Sequence, residues 1–276
     1  VVMSPLMPKH GETAKTNPMS VQEGTVQANG HELEYHRHFG QSEDAPTIVM
    51  LHEGLGSVST WRDFPALLAA RTGADVLVYS RYGYGRSAVR QGSFGIDYMH
   101  VAALAELPEL LTALKIERPI LFGHSDGASI ALICGGAQPT KVGGIIVEAP
   151  HVFTEKFSVN SIAAIQESYE SSDALRNLLS RHHADPDASF YGWNAVWQLP
   201  DFGNWNIEEY LPKIQCPTLV IQGDADEYGT IEQVDRIVAG NGGPVESLIM
   251  EDCGHAPHRD QLEAVLVASK RFVDTL

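Results

Sequence analysis

The residues with the clearest chemical potential lie in one short stretch, where a serine stands between two glycines. Ser125 is the centre of Gly-His-Ser-Asp-Gly, residues 123–127. An apolar run at 119–122 predicts a buried strand before it, and small apolar residues from Ala128 onward predict a helix after it. Glycine tolerates the close backbone approach of a sharp turn, and strain there lifts the serine hydroxyl above the sheet. Ser125 is therefore predicted to be a nucleophile; the alternative is a serine that only caps the helix.

A serine hydroxyl needs a base that accepts its proton and an acid that orients this base. In a strand–turn–helix arrangement of this kind, the acid and then the histidine follow the serine along the chain. After the strand predicted at 216–222, acidic residues occur at positions 224, 226 and 227. His255 follows the last predicted strand in a Gly-His turn, with His258 as the second choice. Taken alone, the acid and the histidine are better explained as an ordinary turn residue and a capped loop residue, so the hypothesis depends on all three residues occurring together.

The elements that must position these residues alternate between strand and helix. Asn29-Gly30 joins two strand-like segments, 24–28 and 31–39, as a hairpin. Buried strands are predicted at 47–51, 75–80, 119–122, 142–148, 216–222 and 245–250, with helices at 61–71, 98–114, 230–239 and 259–276. Pro108 is expected to kink the second of these helices or to begin a new one. This alternation predicts a mostly parallel sheet covered on both faces.

The alternation stops between residues 151 and 212, a segment with many aromatic residues. Helices are predicted there at about 159–171, 174–182 and 190–198. We expect a helical cap over the carboxyl edge of the sheet, where ligands bind in open α/β sheets. The predicted organisation is a loose leader at 1–20, a core formed by 21–150 and 213–276, and the cap at 151–212. Prolines at 150 and 212 would let the cap move as a lid.

Charge and cysteine content restrict the classes of partner and compartment. The formal net charge of −16 argues against nucleic acid and anionic membrane surfaces as partners. No apolar run approaches the length of a membrane span, and residues 1–20 contain no apolar signal segment. The three cysteines are widely spaced, which favours free thiols and a reducing, cytoplasmic location. A monomer or a homodimer is expected.

Together these residues resemble the α/β-hydrolase superfamily of esterases and related hydrolases, from about residue 24 to the end of the chain. The resemblance implies an eight-stranded, mostly parallel sheet with helices on both faces. In such proteins the acid usually stands three residues after the glycine that ends its strand, and this pattern carries over to Asp226. The family's Gly-His motif carries over to His255, and the nucleophile to Ser125. Residues 80–87 resemble a glycine-rich turn of the family and are interpreted as structural.

The same resemblance implies an oxyanion hole made of two backbone N–H groups. One belongs to Asp126, the residue after the nucleophile. The family's His-Gly-x-Gly loop corresponds to His-Glu-Gly-Leu-Gly at 52–56, where a glutamate is inserted or substituted. This departure leaves two choices for the second N–H group: Leu55, which we favour, or Gly54.

Other residues are candidates for substrate recognition. Asp126 follows the nucleophile as in valacyclovir-hydrolase-like enzymes, where an acidic residue at this place recognises an ammonium group. The alternative is that Asp126 pairs with a neighbouring cation, since a bare carboxylate would repel an oxyanion. The cap aromatics are expected to form an apolar pocket, or simply to pack the cap onto the sheet. The predicted substrate-binding residues are Trp193, Trp197, His151, Tyr228 and Glu148.

The predicted function is hydrolysis of a small or medium carboxylic ester through an acyl-enzyme. No cofactor or metal is expected, since the histidines show no ligand spacing. Two alternatives stay open. The same three residues serve C–C bond cleavage, enol-lactone opening or perhydrolysis, because the pocket decides the chemistry. The second alternative is a ligand-binding receptor of this fold, which binds a ligand without turning it over.

Overall fold

The computed structural model describes residues 20–41 and 45–276, and the predicted leader lies almost wholly outside them. The described residues form one eight-stranded sheet in the order β1-β2-β4-β3-β5-β6-β7-β8. The first two strands pair antiparallel, β2 is antiparallel to β4, and the other pairs are parallel. The strands are β1 (Val21–Ala28), β2 (His31–His38), β3 (Thr47–Leu51), β4 (Asp75–Tyr79), β5 (Ile120–His124), β6 (Gly144–Glu148), β7 (Thr218–Gly223) and β8 (Val245–Met250).

Helices cover both faces of this sheet. The described residues form the α-helices α1 (Phe64–Thr72), α2 (Tyr98–Val101), α3 (Leu107–Ala113), α4 (Asp126–Ala137), α5 (Lys156–Ser171), α6 (Asp173–Leu179), α7 (Pro186–Trp197), α8 (Ile231–Gly240), α9 (Pro257–Asp260) and α10 (Leu262–Val273). One apolar cluster joins α1 and α10 to one face, and a second joins α4 and α8 to the other. β4 to β7 are buried along their whole length because both faces are covered. The predicted fold class is confirmed.

Two predicted helices are interrupted in the structure. The segment predicted at 98–114 contains a π-helical turn, Ala102–Glu106, before Pro108 enters the first turn of α3. Proline has no N–H group to donate, and the widened turn before it accommodates this loss. The backbone angles stay helical at Val101, Ala102, Glu106 and Leu107, so the helix continues through the π-helical turn and Pro108 does not begin a second helix. The last predicted helix is divided at Gln261 into α9 and α10.

The segment between β6 and β7 is helical, with α5, α6, α7 and two short 3₁₀ helices, Pro200–Asn204 and Glu208–Lys213. An isolated antiparallel bridge, Phe153 to Asn206, joins its two ends. The three predicted cap helices occur here with shifted ends. Its action as a movable lid stays a prediction. Within residues 20–41 and 45–276, no helix has the length and apolar character needed to cross a membrane.

Candidate active site

The serine turn connects β5 to α4 at the carboxyl edge of the sheet. Ser125 has φ 54° and ψ −118°, a left-handed conformation that costs energy for a residue with a side chain. A Cβ on Gly127 would collide with the carbonyl oxygen of Leu51, and one on Gly123 with that of Gly127. The glycines are therefore required by the packing of the turn. Asp126 is the first residue of α4, so its amide has no acceptor within the helix.

The aspartate and the histidine predicted from the sequence are in direct contact. His255 Nδ1 lies 2.8 Å from Oδ1 and 2.9 Å from Oδ2 of Asp226. The carboxylate also accepts hydrogen bonds from the Tyr228 amide, at 2.7 Å, and from Gln222 Nε2, at 2.7 Å. Burial alone opposes ionisation, but the hydrogen bond and charge of His255 outweigh it and lower the pKa of Asp226 to about 2. With Nδ1 directed at Asp226, the other ring nitrogen of His255 is left for chemistry.

Ser125 and His255 line the same cavity, which lies beneath the segment between β6 and β7. The structure therefore brings the serine, the histidine and its carboxylate partner to one place, although they are far apart in the sequence. Both candidates for the second oxyanion amide, Leu55 and Gly54, line this cavity too. The other lining residues are Glu53, His124, Asp126, His151, Ile162, Ile165, Trp193, Trp197, Tyr228 and Arg259.

Four of the five predicted substrate-binding residues face the cavity: Trp193, Trp197, His151 and Tyr228. His151 is buried, and this burial, with the charge of His255, lowers the pKa of His151 to about 4. Its ring is thus neutral near pH 7. Its Nδ1 atom has no hydrogen-bond partner among the described residues.

The structure contradicts the prediction for Glu148, because this residue does not line the cavity. Its side chain is fully buried, and Oε2 lies 2.7 Å from Nδ1 of His258. His258, the second choice for the catalytic histidine, is likewise buried there, with its ring 4.7 Å from that of Trp61. The end of β6 therefore directs Glu148 below the cavity floor, toward α9.

Asp126 has the neighbouring cation that the second interpretation of this residue expected. Arg81 Nη2 lies 4.0 Å from Asp126 Oδ2, and the Tyr98 hydroxyl donates a hydrogen bond to the same oxygen at 2.6 Å. Trp197 Nε1 in turn donates to that hydroxyl at 3.0 Å. Burial raises the pKa of Asp126, whereas Arg81 and Tyr98 act in the opposite direction. These contacts fit the interpretation in which Asp126 pairs with a neighbouring cation.

Sequence reasoning missed several residues around the cavity. Arg81 lies within the stretch interpreted as a structural turn, and nothing in the sequence pairs it with Asp126. Ile162 and Ile165 line the cavity from α5 and could have been found from their helical spacing. Arg259 lies at the cavity as well, one turn after His255. Across the described ranges, no group of three or more His, Cys, Asp or Glu side chains is arranged to hold a metal ion.

Comparison with known proteins places the chain among hydrolases. Residues 48–268 match the model of a family described as the alpha/beta hydrolase family. A 2-hydroxy-6-oxononadienedioate/2-hydroxy-6-oxononatrienedioate hydrolase of Pseudomonas putida is 28% identical, covering 81% of this chain and 86% of its own. Serine hydrolase BPHL of mouse is 26% identical, covering 82% and 79%. The solved structure of an alpha/beta hydrolase fold protein from Chitinophaga pinensis superposes with a TM-score of 0.75 at 17% identity, covering 95% of this chain and all of that one.

Proposed function

Because the chain belongs to the alpha/beta hydrolase family, we propose that it is a serine hydrolase that cleaves carboxylic esters through an acyl-enzyme. In this proposal Ser125 is the nucleophile, His255 the general base and acid, and Asp226 the residue that orients the histidine. One observation carries it: Ser125, in a strained turn, faces the same cavity as His255, whose Nδ1 atom lies 2.8 Å from the buried Asp226 carboxylate. This arrangement supports a serine, histidine and aspartate mechanism.

The reaction would have two halves. Ser125 Oγ attacks the ester carbonyl carbon while its proton passes to His255, and a tetrahedral oxyanion forms. When this intermediate collapses, the alcohol leaves with the proton from His255. A water molecule, deprotonated by His255, then attacks the acyl-serine; when this second tetrahedral intermediate collapses, His255 returns the proton to Ser125 Oγ and the carboxylic acid is released. Asp226 stays ionised and stabilises the imidazolium in both halves.

The oxyanion is assigned to two amides, those of Asp126 and Leu55, with Gly54 as the alternative to Leu55. The Asp126 amide is supported by its place at the start of α4, where the helix dipole also favours negative charge. The loop of Leu55 is anchored because Arg81 Nη2 donates to the carbonyl oxygen of Glu53 at 3.0 Å. A bare Asp126 carboxylate would oppose the oxyanion, and Arg81 is positioned to offset that charge.

The cavity supports a substrate with a sizeable apolar part. Two tryptophans, Trp193 and Trp197, and two isoleucines, Ile162 and Ile165, contribute most of its apolar wall. His151 is neutral and has an unpartnered Nδ1 atom, so we assign it a hydrogen bond to the substrate. Tyr228 stands beside His255, with ring centroids 4.7 Å apart, and completes the wall on that side.

The first test is hydrolysis of p-nitrophenyl acetate, butyrate and octanoate by the parent protein and by Ser125→Ala. We expect turnover in the parent and a loss of about 10⁴-fold or more in the variant. Ser158→Ala is the matched control, because Ser158 is a buried serine outside the cavity whose hydroxyl has no partner among the described residues. A fluorophosphonate probe, followed by peptide mass spectrometry, should label Ser125. Activity that survives Ser125→Ala would overturn the proposal.

A second candidate is hydrolysis of a C–C bond, favoured by the identity to the Pseudomonas putida dienedioate hydrolase. The same three residues would act, with a vinylogous ketone in place of the ester. Parallel assays with p-nitrophenyl esters and with ring-cleavage dienones separate the two. A kcat/KM for dienones far above that for every ester would replace the ester proposal.

We also infer a reducing, cytoplasmic location. Cys134, Cys216 and Cys253 are all buried and unpaired, as thiols in a reducing compartment are. A small uncharged ester fits both the open cavity and the acidic chain, whose formal net charge is −16. Fractionation with thiol labelling of the native protein would test the compartment: modification of these cysteines only after unfolding is expected, and a disulfide would contradict it.

A further inference from the structure

Glu53 is the glutamate that is inserted into, or substituted in, the family's loop pattern, and its backbone anchors that loop. Its carbonyl oxygen accepts hydrogen bonds from the Gly56 amide at 3.1 Å and from Arg81 Nη2 at 3.0 Å. Nδ1 of His52 also lies 2.7 Å from this oxygen. The conformation of the loop that bears Leu55 therefore depends on residue 53.

The side chain of Glu53 reaches a second functional element. Its Oε2 atom lies 3.6 Å from Nδ1 of His124, the residue directly before the nucleophile. His124 is buried, and its Nε2 atom lies 2.7 Å from the carbonyl oxygen of His255. A carbonyl only accepts, so Nε2 must carry a proton. Nδ1 is buried, makes no hydrogen bond among the described residues and faces the Glu53 carboxylate, so a proton on Nδ1 would be attracted to that charge.

The charges around His124 agree with this protonation. It is faced by Glu53 from the loop after β3, by His255 from the loop after β8, and by His258, which is paired with Glu148. Trp61 contributes an uncharged ring on the fourth side. Burial lowers the pKa of His124, but Glu53 and then Glu148 outweigh it and the net shift is upward. Burial raises the pKa of Glu53, but His124 outweighs it and holds that pKa well below its usual range.

We propose that Glu53 is a positioning residue whose ion pair with His124 ties the oxyanion loop to the nucleophile turn and to the loop that carries His255. The catalytic consequence rests on the proposed function, since it concerns the same site. The Glu53 and His124 side chains together thus link three loops, those after β3, β5 and β8. Small displacements of reacting groups are costly in rate, so the pair should act on kcat. Because Glu53 is already neutralised by His124, it does not bind a cationic group of the substrate.

The test is Glu53→Gln, which keeps the shape of the side chain and removes its charge. We expect kcat on p-nitrophenyl butyrate to fall about ten-fold or more, with KM changed less than about two-fold. Glu227→Gln is the matched control. Glu227 Oε2 accepts a hydrogen bond from the backbone amide of His255 at 3.2 Å, but from the solvent side and without joining the oxyanion loop. A glutamine there still accepts, so kcat should stay within about two-fold.

A second measurement is independent of activity. Side-chain ¹⁵N NMR of the histidines should show His124 titrating at lower pH in Glu53→Gln than in the parent. In the variant the Glu53 charge no longer offsets the lowering of the His124 pKa by burial. Glu227→Gln should leave this titration unchanged. Glu53→Gly, which removes the carboxylate altogether, should give the same shift and the same loss of kcat if the glutamine variant does not fold.

Two results would overturn the proposal. An unchanged His124 titration in both Glu53 variants would exclude the ion pair. A raised KM with unchanged kcat would instead make Glu53 a substrate-binding residue. If the parent itself hydrolyses no ester, the proposed function fails, whereas the NMR comparison still decides whether the pair exists.

Discussion

Two carboxylate–histidine pairs lie at the carboxyl edge of the sheet, and they differ in what surrounds them. Asp226–His255 and Glu148–His258 have nearly equal Nδ1–oxygen distances, 2.8 and 2.7 Å. The histidine side chain is 14% exposed in the first pair, where it lines the cavity, and 4% exposed in the second, where it packs against Trp61 and Phe64. Contact with a carboxylate is therefore not sufficient for a catalytic role; access to the nucleophile is needed as well.

The surroundings of the carboxylates differ as well. Asp226 accepts several hydrogen bonds besides that of His255, from backbone amides and from Gln222. Glu148 Oε1 has no partner among the described residues. The first carboxylate is held in one orientation, as a residue that orients a base must be. The second pair is best explained as a structural link between β6 and α9.

The largest expected effect is loss of activity when the first pair is broken. His255→Gln should lower kcat about 10⁴-fold, because no base accepts the serine proton. The free energy of unfolding should fall by about 1–3 kcal/mol, since Asp226 loses the His255 contact but keeps its hydrogen bonds from Gln222 and from the Tyr228 amide. Steady-state kinetics and urea unfolding measure the two quantities. If His255→Gln kept activity and His258→Gln lost it in a folded protein, the roles of the two pairs would be reversed.

Breaking the second pair should affect stability instead. His258→Leu leaves the Glu148 carboxylate buried without its partner, so the free energy of unfolding should fall by about 3–5 kcal/mol. For the folded fraction, kcat should stay within about three-fold of the parent. The double variant Glu148→Met/His258→Leu should recover much of the loss, since no unpaired charge is left. A double variant as unstable as the single one would show that packing of the ring, rather than the pair, is what matters.

A third carboxylate, Asp126, sharpens the comparison because it lies beside the nucleophile and is paired with an arginine. Arg81→Met should lower kcat at least about ten-fold, because the charge on Asp126 then opposes the oxyanion. Arg81→Lys retains the charge and should recover part of the activity. Kinetics of the two variants on one ester decide the matter: equal losses would show that hydrogen bonding to the loop, and not charge, is the contribution of Arg81.

The pH dependence of stability tests the first pair without an activity assay. The pKa of Asp226 is lowered to about 2 in the native protein, against an unfolded value of about 3.9. An acid whose pKa is lower in the folded state than in the unfolded state stabilises the fold at pH values above its unfolded-state pKa. This contribution disappears as the pH falls through its folded-state pKa. The difference in unfolding free energy between the parent and Asp226→Asn should therefore be constant above about pH 5 and shrink toward pH 2. Urea unfolding at several pH values measures it; a difference that grows on acidification would contradict the assignment.

Much of the fold was predictable because its signals are local. The hairpin at Asn29-Gly30 and the strand–turn–helix around Ser125 follow from short-range turn and burial patterns. The interruption at 102–106 was located only by its cause, Pro108, since a π-helical turn has no sequence pattern of its own. Helix ends shifted by several residues because tertiary packing, and not propensity, decides where a helix terminates.

The sequence by itself determined the types, the order and the strand-end positions of Ser125, Asp226 and His255, because parallel strands deliver their carboxyl ends to one edge. Only the tertiary structure decided that His255 and not His258 lines the cavity, that Glu148 lies beneath it, and that Arg81 pairs with Asp126. The physical reason is that pairing between charged groups depends on distance and burial in three dimensions. Residues from separate loops meet only after the sheet has formed, and no local pattern in the chain records which of them will be partners.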